Sequence, residues 1–158
     1  MRLRSERGSA VVEFLAAGTI LAVLLFATIQ LALLWAGRGA VETAAHFAAR
    51  KFALNARTDI RTAQSAALAE ASLLCRNRPG ARWADAAMTK IDFSRNGRAG
   101  TLRHAAAGEA FQVRLTHWFE LVVPWVDRVL YAVAPGEKTR IGNRYYLALK
   151  TTRWVTVE

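Results

Sequence analysis

The sequence predicts an α+β protein: a long N-terminal transmembrane and stem helix, a second helix packed on it, and a small C-terminal antiparallel sheet of about three strands. Three observations carry that expectation. Residues 14–37 form a run of 24 without a charge. Apolar positions keep helical spacing well past that run, and beyond about residue 90 the period falls to two. The expected division is a basic leader at 1–8, a transmembrane helix at 9–37, a helical stem with a second helix at 38–75, and an α/β domain with terminal strands at 76–158.

At 1.5 Å per residue the uncharged run reaches roughly 36 Å, more than the ~30 Å of hydrocarbon in a bilayer. Thr19, Thr28 and Gln30 are too sparse to give it the polar stripe of a core helix. In the leader, Arg2, Arg4 and Arg7 stand against Glu6 alone, which by the positive-inside tendency puts the N-terminus in the cytoplasm and the larger part of the chain outside. Arg38, Arg50 and Lys51 follow the run, but long C-terminal domains cross largely regardless of their charge.

Val41, Ala44, Ala45, Ala48 and Phe52 extend the helical pattern, so one helix is expected from about Ala10 to Leu54. Gly37 and Gly39 are its weak points, where a bend is cheapest. Residues 55–59 read as a break. Thr58 or Asp59 caps a second helix over 60–74, whose Ala63, Ala66, Ala67, Leu68, Ala71 and Leu74 would pack on the stem. Pro79 and Gly80 end it.

Ile91 and Phe93 then alternate with Asp92, and Phe111, Val113 and Leu115 with Gln112, Arg114 and Thr116, as in half-buried strands. The segment 97–108, with Gly97, Gly100 and Gly108, is the loop between them. Pro124 opens a short apolar turn or helix over 125–133, either core or a surface resting on the bilayer. Pro135 and Gly136 turn the chain into a long final strand over 145–157.

Enzyme chemistry finds no footing in this pattern. His46, His104 and His117 have no paired-ligand spacing, so no metal or other cofactor is expected. There is no phosphate-cradling glycine loop and no nucleophile elbow. Cys75 is the only cysteine, which excludes an intrachain disulfide and leaves a small apolar core residue or an intermolecular bridge. The net charge of +10 favours anionic surfaces, yet the Arg residues are scattered and no nucleic-acid motif accompanies them.

The head of the chain is more specific. Gly8 is followed by Ser9, and after three further residues by Glu13 and Phe14, directly before the apolar run. That run is too long for an ordinary secretory signal, whereas a cut before it would leave the helix whole. Gly8 lacks a Cβ and opens the backbone to a peptidase. Cleavage there frees an α-amine on Ser9, one turn from Glu13. An ionised side chain at the centre of a membrane costs ~2.5–3.5 kcal/mol, and pairing with the amine of a neighbouring subunit would offset part of it. The alternative is an acidic residue at a helix N-terminus, favoured by the macrodipole and kept wet by the headgroups. Gly18 and Ala22 form a small-x-x-x-small pair suited to close helix packing, a pattern also common by chance in Ala-rich helices.

These residues resemble the class III signal of type IV prepilins, and the continuation AVETAAHFAAR at 40–50 resembles the TadE-like minor pseudopilins of tight-adherence (Tad/Flp) pilus systems. The likeness covers about residues 5–54 and is architectural beyond. It implies a prepilin peptidase cut between Gly8 and Ser9, with Glu13 as the fifth mature residue. Phe14 stands where major Flp pilins often have tyrosine, which with the chain length argues for a minor subunit. The resemblance further implies a bacterial inner-membrane protein with a periplasmic domain. Its partners would be the peptidase, other pilins and the assembly platform. An uncleaved, signal-anchored module that binds the cell envelope through its basic domain is the alternative from another class.

Overall fold

The computed structural model describes residues 3–78, 81, 87–95, 98–99 and 105–158; of residues 3–8, 98 and 99 it describes the backbone. The Pro79-Gly80 stop, Gly97, Gly100 and His104 lie outside the described residues.

Helix α1 (Leu3–Asn55) is continuous over 53 residues and includes both weak-point glycines. It carries an apolar stretch long enough to cross a membrane, of which none is buried inside the protein. A turn follows, and helix α2 (Ile60–Arg76) folds back on α1. Asp59 is its cap: the carboxylate accepts from the Arg61 and Thr62 N–H groups at 3.1 and 3.2 Å and from the Thr62 hydroxyl. The Thr62 hydroxyl foremost, then the two N–H groups, hold the Asp59 pKa below its ordinary value.

Ile60, Ala63, Ala67, Ala71 and Cys75 form the buried edge of α2, so the alanine stripe packs on the stem as its spacing predicts. Leu68 is an exception and faces out, and the Cys75 thiol is buried in the core. Small side chains facing Ala44, Ala45 and Ala48 allow the two helices to approach closely.

The sheet is antiparallel, in the order β2-β1-β3-β5-β4, with β1 (Thr89–Arg95), β2 (Arg98–Ala99), β3 (Ala110–Glu120), β4 (Lys138–Ile141) and β5 (Arg144–Thr156). The expected three strands are β1, β3 and β5. The two additional ones are short edges, so the sheet of about three strands becomes one of five among the described residues. β2 pairs Ser94 with Ala99 inside what reads as loop. β4 is lysine- and arginine-bearing and largely exposed, which hides its period and also guards the edge against pairing with another chain.

Phe111, Val113, Leu115, His117 and Phe119 all point from β3 towards the helices, while Gln112, Arg114, Thr116 and Trp118 are more exposed on the opposite side. The distal core centres on Phe52, stacked on Phe93 at 4.5 Å and edge-on to Phe111 at 5.4 Å between centroids. A second cluster near the apolar end of the stem joins Phe119, Leu121 and Leu147 to Leu33 and Leu34 of α1 and to Leu130, Tyr131 and Ala134. The last three belong to, or directly follow, a short helix, α3 (Val126–Val133).

Candidate functional site: an uncovered helix and its junction with the domain

Ser9, Glu13, Phe14, Gly18 and Ala22 all sit on α1, and all are exposed. Gly8 precedes them with helical backbone. From residue 9 to 29 every position is exposed except Ala27, which is partly so. Phe14 is 77 % exposed, and nothing comes within 4 Å of a Cβ built on Gly18. The sequence-predicted site residues are thus gathered on one bare rod rather than in a cleft.

The rod is suited to an apolar medium. Thr19 and Thr28 donate their hydroxyls back to the Leu15 and Leu24 carbonyls, each at 2.8 Å. Their polarity is therefore satisfied inside the helix, as lipid requires. Glu13 is the single charged residue between positions 9 and 37.

Gln30 is the first described residue along α1 that is buried. It is fully buried, and its Oε1 accepts from the Val122 and Val123 N–H groups at 3.0 and 2.8 Å. Its Nε2 has no hydrogen-bond partner among the described residues. Two turns on, Gly37 lies flat against the Phe119 ring, where a Cβ would fall 2.3 Å from Cε2. Gly37 is therefore an approach point for the sheet. Gly39, with open space around it, is not.

Behind Phe119 a polar stack continues into the domain. The Arg78 guanidinium lies over the Phe119 ring, 4.2 Å from its centroid. Its Nη2 is 3.4 Å from His117 Nε2, and His117 Nδ1 is 2.9 Å from Thr89 Oγ1. A guanidinium has no lone pair to offer, so Nε2 is the acceptor and Nδ1 carries the proton towards Thr89.

Burial foremost, and the Arg78 charge second, pull the His117 pKa from 6.5 to about 4. Between those values the unfolded chain binds a proton that the folded chain refuses. Stability is then full above pH 6.5, falls as the pH drops to about 4 and levels off below, by about 3 kcal/mol in all. Thermal unfolding of the detergent-solubilised chain over a pH series checks this. The decline in Tm across that window should be present in the wild type and absent from His117→Gln.

Among the described residues no three His, Cys, Asp or Glu side chains gather as a metal-ligand set. His46 is exposed on the stem beside Phe47, whereas His117 is buried in β3. Arg38–Glu42, Lys90–Asp92, Arg95–Glu109, Arg144–Glu120 and Lys150–Glu137 are paired, so part of the basic charge is engaged within the fold.

Sequence reasoning assigned no role to Gln30, Phe119 or Arg78. Gln30 did carry a signal: an amide near the end of an apolar helix needs a partner, and the domain supplies one. Compared with known proteins, the chain matches no family model, no curated protein and no solved structure.

Proposed function

We propose that this chain is a TadE-like minor pseudopilin of a tight-adherence pilus, cut after Gly8 by a prepilin peptidase and acting in pilus priming or assembly. It would be held in the bacterial inner membrane by residues 9–37, N-terminus in the cytoplasm and domain in the periplasm. The observation that carries the reading is the bare helix bearing one carboxylate: residues 9–26 are all exposed, and Glu13 stands one turn after Ser9. A plain anchor needs length and apolarity only. A helix that leaves the bilayer to pack among its own kind also needs a group that fixes register, and a carboxylate meeting a neighbour's new α-amine does so. Gly18 and Ala22, both exposed, leave room for such packing.

The reading is tested with Glu13→Ala in cells that make the pilus. Piliation should be lost while the protein stays in the membrane at its normal level. Unchanged piliation would sink the assembly role and favour the signal-anchored envelope-binding module.

A further inference from the structure

We propose that α3 and the turn leading into it form a second membrane contact, an interfacial foot whose apolar side lies on the phospholipid leaflet nearest the domain. The inference rests on α1 spanning the bilayer, and depth is its first support. Counting from Phe14, ~20 residues of helix fill the ~30 Å hydrocarbon layer, which ends near Leu33. Val122 and Val123 are hydrogen-bonded to Gln30, and Leu130 and Tyr131 pack in the cluster that includes Leu33 and Leu34. The turn and α3 are therefore held at the headgroup–acyl boundary by contacts with the helix itself.

Chemistry is the second support. α3 is two-sided: Val126 is buried, and Leu130 packs inward. Trp125, Val129 and Val133, four residues apart, are 84 %, 63 % and 76 % exposed. Trp125 is also the one described non-glycine residue at positive φ, 72°. A bulky side chain held in that conformation and facing out is costly unless something receives it. An indole suits the membrane interface, and Trp35 on α1, 75 % exposed, marks the same belt little more than one turn beyond Gln30.

Satisfaction of the backbone is the third. The N–H groups of Val122 and Val123 are taken by Gln30. Lys138 Nζ donates to the Tyr131 and Ala132 carbonyls at the C-terminal end of α3, at 2.7 and 3.2 Å. The turn's Val122 and Val123 amides and two carbonyls at the C-terminal end of α3 are thereby satisfied inside the protein, while the exposed Arg128 is available to anionic headgroups.

The test uses the full chain labelled with 5-fluorotryptophan in nanodiscs of phosphatidylethanolamine and phosphatidylglycerol. Its fluorine resonances are assigned by the single changes Trp35→Phe, Trp125→Phe and Trp154→Phe. Spin-labelled lipid should broaden Trp35 and Trp125 several-fold more than Trp154, which is exposed at the distal end of β5; an aqueous gadolinium chelate should do the reverse. Trp125 behaving like Trp154 overturns the foot. Trp125 shielded from both agents also overturns it, since protein then covers that side. If Trp35 too follows Trp154, the membrane span itself falls.

Discussion

Replacing Gln30 with leucine is expected to free the 121–125 turn and α3 from the stem, at a net cost of about 2–4 kcal/mol. The Gln30 carboxamide oxygen accepts both the Val122 and Val123 N–H groups, and leucine leaves the first without an acceptor in a partly buried place and the second in a buried one. An orphaned buried donor costs ~1–3 kcal/mol. Removing the unpartnered Nε2 returns part of that sum. Amide hydrogen exchange in detergent micelles is the direct readout. Val122 and Val123 should lose protection in Gln30→Leu, while Leu115, deep in the sheet, keeps it. Equal protection of all three would show that the bonds do not hold the turn.

Gly37→Ala should destabilise the junction, and Gly39→Ala, two residues along the same helix, should stabilise it. In both, alanine gains up to ~1 kcal/mol of helix propensity over glycine. At Gly39 nothing opposes that gain, because no atom lies within 4 Å of the new methyl. At Gly37 the methyl would enter the Phe119 ring, 2.3 Å from Cε2 and 2.5 Å from Cδ2. Phe119 is 1 % exposed and sits under Arg78, so it has little room to retreat. Overpacking of this kind costs ~1–3 kcal/mol, more where a second group must move with the first. Thermal unfolding of the two variants should give Tm shifts of opposite sign. Shifts of the same sign would mean that Phe119 yields easily and that the junction is loosely packed.

The fold was largely legible because its elements repeat with strong periods. The alanine stripe at 63, 67 and 71 and the alternation at 111, 113 and 115 each report a face buried against something larger, and the uncharged run of residues 14–37 reports a helix long and apolar enough to cross a membrane. Asp59 was legible as a cap because a short acceptor before an apolar stripe has one favoured use. β4 was not, since Lys138 and Arg140 sit on an edge where burial is weak and alternation fades. Its best signal was Gly142-Asn143, a two-residue turn in which Gly142 takes φ 61°. Gly37 was singled out as a flexible point, and its actual use is the opposite. Sequence registers the missing Cβ but not the ring that fills its place.

The candidate site divides the same way. Gly8, Ser9, Glu13, Phe14, Gly18 and Ala22 were legible because their meaning lies in spacing along one helix. Gln30, Phe119 and Arg78 were not, because their meaning lies in contacts across about ninety residues of chain in one case and about forty in another. A site defined by tertiary contacts leaves little trace in local periodicity.

The central claim is that residues 9–37 form an assembly helix released by cleavage after Gly8. Intact mass of the membrane-extracted protein, from cells with and without the prepilin peptidase, tests it most directly. The mass should match a chain beginning at Ser9 when the peptidase is present, and a chain retaining residues 1–8 when it is absent. The same N-terminus in both would contradict it.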